Sequence, residues 1–155
     1  MSDVIQPFSL EQVLPHRAPM ILLDSLDAVS ETRVSCAVSV RESLSFSDEQ
    51  GLPAWVGIEL MAQSVAAWSG ARALQRGEPV RIGFLLGTRK YHSCCDYFAL
   101  GSQLEVSGEE VLNSDDMSVF DCRISCAGAV LAEAKLTAYL PPDEKLQQML
   151  DGDDR

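Results

Sequence analysis

The segment 51–70, GLPAWVGIELMAQSVAAWSG, constrains the fold more strongly than any other part of the chain. Nearly every residue after its proline is small or apolar, which predicts a helix without a broad polar face. Proline favours the first helical position, and glycine followed by proline ends a helix, so we predict a helix from Pro53 to Arg76 that stops at Gly77 and Pro79, about 35 Å long. Such a helix must be covered on all sides, by a curved sheet or by a second subunit.

The rest of the chain is patterned mainly as strands. The run RVSCAVSV at 33–40 alternates apolar and polar residues, which is typical of a half-buried strand. A capped helical turn is predicted at 9–13, further strands at 20–29, 81–91, 102–112, 117–127 and 129–140, and turns at 113–116 and 127–128. One early helix followed by antiparallel strands predicts the α+β class, with the helix packed on a curved sheet.

Length and composition indicate the number of domains and the cellular compartment. With 155 residues, 46% of them hydrophobic, the chain is most simply one domain over 1–142 followed by an acidic tail at 143–155. The five cysteines lack metal-ligand spacing, so we predict reduced thiols and neither a metal nor a cofactor. We expect a cytoplasmic protein, because no apolar run reaches the roughly 18 residues of a membrane span and the N-terminus is unlike a signal peptide.

The net charge of −11 argues against two classes of partner. Nucleic acids require cationic surface to displace their counterions, and anionic membranes attract positive segments. We therefore predict neither nucleic-acid binding nor membrane binding.

Glu59 is the only carboxylate in the apolar segment 51–70. A buried carboxylate is costly unless it is hydrogen-bonded, protonated or open to a cavity. Gln63 follows by four residues on the same helical face and can hold its orientation. The residues by themselves leave open a general acid in the second turn of the helix or a carboxylate that simply contacts solvent.

Three motifs occur in an order typical of one family. They are LPHRAPMILLDSL at 14–26, LPAWVGIELMAQ at 52–63 and IGFLLGTRKY…FALGSQLEV at 82–106. Over roughly residues 9–140 the chain resembles the FabZ-type (3R)-hydroxyacyl-ACP dehydratases, and more specifically the FabZ-like branch associated with aryl-polyene biosynthesis. The resemblance implies a hotdog fold, with a long central helix wrapped by a curved antiparallel sheet.

The resemblance also implies a chemistry, elimination of water from a 3-hydroxyacyl thioester carried by acyl carrier protein or coenzyme A. Glu59 matches the catalytic carboxylate of the family. Ser45 stands where the family has its catalytic histidine, and the chain's two histidines are His16 and His92. We expect His16, in the LPHRAP motif that borders the acyl tunnel in the family, to act as the catalytic partner.

The remaining site residues are predicted around the start of the helix. Backbone amides there can polarise a thioester oxygen. The predicted substrate-binding residues are Ser45, Phe46, Pro53, Val56, Gly57 and Gln63. Weaker candidates are His92 in a predicted loop, Asp48, and the vicinal Cys94 and Cys95.

Three functions stay open at this point: a dehydratase-like hydro-lyase, a hotdog acyl thioesterase, and a catalytically weak subunit that completes another hotdog protein. We expect a homodimer or a higher hotdog oligomer. Because an acidic carrier would repel this acidic chain, docking requires a local basic patch. Its candidates, which could equally be ordinary solvated charges, are Arg72, Arg76, Arg81, Arg89 and Lys90.

Overall fold

The computed structural model describes residues 4–5, 8–14, 20–80, 84–114 and 116–139, with the backbone alone for 4–5 and 84–86. His16, Arg81 and the predicted tail at 143–155 lie outside the described residues. The elements are β1 (Val4–Ile5), α1 (Leu10–Val13), β2 (Ser25–Val29), β3 (Arg33–Ser39), β4 (Leu52–Pro53), a 3-10 turn (Ala54–Val56), α2 (Gly57–Gln75), β5 (Phe84–Ser93), β6 (Tyr97–Phe98), β7 (Gln103–Ser114), β8 (Met117–Cys126) and β9 (Ala129–Tyr139).

Seven of the described strands form one antiparallel sheet in the order β1-β2-β3-β7-β8-β9-β5, while β4 and β6 form a separate pair. The turn between β8 and β9 places Ala127 and Gly128 at positive φ, as a tight type I′ hairpin requires. Register shifts interrupt several strand pairs, as at Leu26/Ala28 and Glu110/Leu112. Bulges of this kind bend a sheet and increase its twist.

Helix α2 packs across this sheet and contacts β2, β3, β5, β7, β8 and β9. Its buried side includes Leu60, Met61 and Val65. Gly70 lies directly against the backbone carbonyl of Val13 in α1, leaving no room for a β-carbon. The predicted α+β arrangement, one long helix on an antiparallel sheet, is therefore confirmed. Within the described residues, no helix combines the length and the apolar character needed to cross a bilayer.

The helix begins later than predicted. Leu52 and Pro53 pair with Phe98 and Tyr97, and Gly51 lies so close to the Phe98 carbonyl that a β-carbon would collide with it. Pro53 accordingly has an extended ψ of 137° and precedes the 3-10 turn instead of opening α2. The prediction that Pro53 is the first helical residue is wrong, and Glu59 falls in the first turn of α2, not the second.

Two further boundaries differ from the predictions. Strand β2 begins at Ser25 and not at Met20, and the Leu22 amide in the segment before it donates to the Gln63 side chain of α2. His92 lies in β5, opposite Glu133, and not in a loop. Register shifts interrupt the pairing of this strand with β9 at Leu85/Gly87 and at Arg89/His92.

Two of the five cysteines are part of the core. Burial raises the pKa of the Cys36 and Cys122 thiols to about 12, so both are neutral at physiological pH. The structural role predicted for these two thiols agrees with their position beneath α2.

Candidate active site

Glu59 lies half-buried in the first turn of α2, and its orientation is held by Gln63. The Gln63 Nε2 group donates a hydrogen bond of 3.1 Å to Glu59 Oε1. Because the two residues are four positions apart on one helix, their side chains meet on the same face. The sequence-predicted pair is thus present.

Gln63 also ties the helix to the segment that follows the LPHRAP motif. Its Nε2 donates to the Met20 carbonyl at 2.7 Å, and its Oε1 accepts from the Leu22 amide at 2.9 Å. Gln63 is 1% exposed, so its amide oxygen and nitrogen would lack hydrogen-bond partners without these bonds. The Gln63 side chain therefore holds the Glu59 carboxylate and the backbone of Met20 and Leu22 together.

The start of the helical run is anchored from the side by Tyr91 on β5. Its hydroxyl donates to the Ala54 carbonyl, and its ring packs against Gly57, where a β-carbon would collide with it. Burial raises the pKa of Tyr91 to about 12, so the hydroxyl stays protonated and remains a donor. The Ala54 amide in turn donates to the Asp96 carbonyl at 2.9 Å. The helix start is thus held rigidly between β5 and the residues before β6.

Some backbone amides at this helix start already donate hydrogen bonds within the protein. The Gly57 amide donates to the Ala54 and Trp55 carbonyls within the 3-10 turn. Val56 is buried at the junction of that turn with α2. The remaining attraction for a negatively charged oxygen comes from the summed dipoles of the helical run. These residues occupy the predicted place, and their contact with substrate stays a prediction.

The loop that replaces the expected histidine motif presents an aromatic side chain. Ser45 is partly buried in a turn, and Phe46 follows with a φ of 73°. The Phe46 ring meets the ring of Trp55 edge to face, with the centroids 5.7 Å apart. Trp55 was not predicted as a site residue, because the apolar pattern assigned it to the buried surface of the helix. It is 62% exposed.

The weaker catalytic candidates do not hydrogen-bond to Glu59. Asp48 accepts from the Gln50 amide and exchanges backbone bonds with Gly51, so it serves a turn. His92 and Cys94 are exposed. Cys95 is partly buried and its amide is bound by the Ser93 hydroxyl. Among the residues that the structure describes, these four supply no base in contact with Glu59, and no cluster of His, Cys, Asp and Glu could hold a metal ion.

The described basic candidates lie on two elements. Arg72 and Arg76 are at the end of α2 and line a cavity of about 150 Å³ together with Asn113 and Ser118. Arg76 pairs with Glu78 at 3.4 Å. Arg89 and Lys90 are exposed on β5.

Comparison with known proteins identifies a family for this arrangement. Residues 8–151 match the model of the ApeP-like family, described as ApeP dehydratase. A chain of the dehydratase heterocomplex ApeI:P from Xenorhabdus doucetiae is 33% identical and superposes with a TM-score of 0.84, covering 94% of this chain and 99% of that chain. No curated protein sequence matches the chain significantly.

More distant structures share the fold. A hypothetical thioesterase with coenzyme A from Streptococcus pneumoniae is 16% identical, with a TM-score of 0.61 over 76% of this chain and 84% of that chain. A Streptococcus mutans protein bound to acetyl CoA is 15% identical, with a TM-score of 0.59 over 81% of this chain and 96% of that chain. The predicted hotdog fold is confirmed, and at these identities the likeness concerns the fold alone.

Proposed function

The chain belongs to the ApeP-like dehydratase family, and from this premise we propose that it eliminates water from a 3-hydroxyacyl thioester carried by acyl carrier protein. It is a hotdog dehydratase-like protein of the aryl-polyene type, as the sequence motifs predicted. In the proposed reaction a base takes the proton from C2, the C3–O bond breaks, and a C2=C3 double bond forms. The leaving hydroxyl departs as water after it receives a proton.

Glu59 is the proposed general acid that protonates the leaving hydroxyl. The observation that carries this proposal is its hydrogen bond from Gln63, which holds a half-buried carboxylate at the helix start. A positioned acid contributes because the proton is transferred without a search for the correct geometry. Ser45, Phe46, Pro53, Val56 and Gly57 are proposed to contact the substrate around it.

The base has two proposed sources. His16 stays a candidate, in the segment just before Met20, whose carbonyl is bound by Gln63. The second source is a partner hotdog subunit, since the related Xenorhabdus doucetiae protein is part of a heterocomplex. We favour the partner subunit over His16 as the source of the base. Among the described candidates, Asp48 binds the Gln50 amide in a turn and His92 is exposed on β5, so neither serves as the base beside Glu59.

Two surfaces support assembly with such a subunit. Strand β5 forms one edge of the seven-stranded sheet, with a neighbour on only one side among the described strands. An edge strand of 10 residues offers unpaired backbone groups to another chain. On α2, Ile58, Ala62 and Ala66 remain partly exposed at four-residue spacing.

Docking of an acyl carrier protein is proposed at Arg72 and Arg76, or at Arg89 and Lys90. A cytoplasmic location stays a prediction.

The experiment compares the chain alone with the chain co-expressed with a hotdog partner, on 3-hydroxyacyl and simple acyl thioesters. Enoyl absorbance and free thiol are followed together. We expect enoyl formation without thiol release, and a fall of about 10²- to 10⁴-fold in Glu59→Gln. Glu109→Gln, at an exposed carboxylate on β7, is the matched control and should retain the rate.

Each other outcome discriminates a different function. Thiol release identifies a thioesterase. Activity in the complex that survives Glu59→Gln identifies a stabilising subunit and refutes the role of Glu59. An unchanged rate in the chain alone after Glu59→Gln refutes it equally.

A further inference from the structure

Two adjacent cysteines lie in the turn between β5 and β6 and have no part in the proposed reaction. Cys94 is exposed and Cys95 is partly buried, whereas Cys36 and Cys122 are buried beneath α2. Thiols that react with oxidants are accessible to solvent and often lie beside a second, resolving cysteine. The pair at 94–95 meets both conditions.

The Ser93 hydroxyl holds the turn around the two thiols. It donates to the Cys95 carbonyl at 2.7 Å and accepts from the Cys95 amide at 3.3 Å. The Cys95 Sγ atom lies 3.7 Å from the same hydroxyl. The Cys94 amide donates to the Leu131 carbonyl of β9 at 2.9 Å. Hydrogen bonds therefore fix the backbone on both sides of the Cys94–Cys95 peptide, and a new conformation of that peptide would break them.

The same turn holds the start of the helical run that carries Glu59. Asp96, the residue after the pair, accepts a hydrogen bond of 2.9 Å from the Ala54 amide through its carbonyl. Tyr91, on the other side of the pair, donates its hydroxyl to the Ala54 carbonyl. Strand β6 then pairs with β4, which directly precedes Ala54. A displacement of the turn would therefore displace Ala54 and the first residues of the helix.

The Cys95 side chain lies beside this anchor. Cys95 and Tyr91 both pack at the margin of the hydrophobic core. Burial raises the pKa of Tyr91, and the negative charge of an ionised Cys95 thiol nearby raises that pKa further. A new bond at the Cys95 Sγ atom would thus form close to the hydroxyl that binds Ala54.

We propose that Cys94 and Cys95 form a thiol–disulfide switch, in which oxidation of the pair loosens the start of α2 and slows the reaction at Glu59. The effect on the rate rests on the proposed function, whereas the oxidation itself does not.

The oxidation proceeds in two exchange steps. The Cys94 thiolate attacks the S–S bond of a low-molecular-weight disulfide, which forms a mixed disulfide and releases one small thiolate. The Cys95 thiolate then attacks the Cys94 sulfur, so that a Cys94–Cys95 bond forms and the second small thiolate leaves. The two protein thiols are oxidised, the small disulfide is reduced to two thiols, and these take up the two protons that the cysteines lose.

The new bond constrains the backbone at the position where the turn is held. A disulfide between adjacent residues closes a small ring that contains their peptide group, and the ring restricts the dihedral angles on both sides of that group. The Cys95 amide and carbonyl then turn away from the Ser93 hydroxyl. Asp96 follows directly, and its carbonyl loses its alignment with the Ala54 amide.

The test treats the full chain, alone and in complex with a hotdog partner, with glutathione disulfide. We expect the intact mass to fall by two hydrogen atoms with no glutathione attached, and one peptide that contains both cysteines to carry the loss. Hydrogen exchange of the Ala54 amide should become about tenfold faster, while exchange of the buried Ala71 amide in the packed part of α2 should not change. Enoyl formation should fall about tenfold as well, and dithiothreitol should restore both.

Substitution of each cysteine separates the two steps. Cys95→Ser leaves Cys94 without a resolving thiol, so this variant should retain one glutathione on Cys94. Cys94→Ser should form neither the adduct nor the ring. Cys126→Ser, at another partly buried thiol, is the matched control and should oxidise as the wild type does.

Three structural results would overturn the proposal. The first is a wild-type chain that keeps the glutathione adduct, or that stays reduced in the complex because the partner covers the turn. The second is a bond between Cys95 and Cys126 in the peptide map. The third is a closed Cys94–Cys95 ring with unchanged exchange at Ala54.

The switch and the proposed function fail separately. Ring closure with faster exchange at Ala54, in a protein that forms no enoyl product in either redox state, contradicts only the proposed function. Enoyl formation that depends on Glu59 and has the same rate in the reduced and the oxidised protein contradicts only the switch.

Discussion

At the start of α2, Glu59 and Trp55 reach solvent and Gln63 is bound to a distant loop, whereas toward the end of the helix Gly70 and Ala71 are buried against other elements. In the first region, a carboxylate and an apolar side chain are left in contact with solvent. The second has no space for one additional methyl group. One helix thus combines a region that exposes a carboxylate to solvent with a region built for packing.

Substitutions at the two ends of α2 should therefore change different properties of the protein. Burial and close backbone contact contribute mostly to the free energy of unfolding. A half-exposed carboxylate contributes little to stability and can be reserved for chemistry. Substitutions at the packed end should therefore lower stability, and those at the open end should lower activity.

The largest expected loss of stability follows Gly70→Ala. The new β-carbon would meet the Val13 carbonyl, which is backbone and cannot rotate away. We expect the free energy of unfolding to fall by about 3 kcal/mol, the upper part of the range for overpacking. Urea denaturation followed by circular dichroism measures it. Gly87→Ala on β5 is the control, since nothing lies within 4 Å of that β-carbon, and equal losses in both variants would contradict the argument.

Gln63→Leu should affect both quantities, because Gln63 belongs to the buried side of α2 and to the site. The change leaves the Leu22 amide and the Met20 carbonyl without the side chain that binds them. We expect a loss of about 2 kcal/mol of stability, together with slower dehydration because Glu59 is no longer oriented. Unfolding and enoyl formation are measured on the same preparation.

Gln75→Leu, at the exposed end of the same helix, is the matched control for this substitution. Its side chain makes one long bond of 3.4 Å with Arg72. If Gln63→Leu and Gln75→Leu behaved alike, the three hydrogen bonds of Gln63 would have no energetic role.

The smallest effect at neutral pH concerns the thiols beneath α2. Burial raises the pKa of Cys36 from 9.0 to about 12, so the folded state holds a proton that the unfolded state releases. Stability is therefore unaffected below about pH 9 and falls as the pH rises from about 9 toward 12. Cys36→Ala should flatten this slope, whereas Cys94→Ala, at an exposed thiol, should not. Urea midpoints across this pH range measure the slope, and identical slopes would contradict the prediction.

The class of fold could be predicted because its signals are local. Apolar residues without a polar face, between Pro53 and Gly77, indicate a buried helix, and the alternation at 33–40 indicates a strand. The helix start could not be predicted, because Pro53 pairs with Tyr97 on a segment 44 positions further along the chain. Strand pairing across that separation overrides the local preference of proline for a helix.

The candidate site divides in the same way. By itself the sequence determined that Glu59 and Gln63 share a helical face, since four-residue spacing does so in any α-helix. Only the tertiary structure decided that Gln63 binds Met20 and Leu22, 43 and 41 residues away, and that Trp55 meets Phe46 in solvent. The physical reason is that helical periodicity acts within a few residues, whereas contacts between distant segments depend on how the whole chain closes around its core.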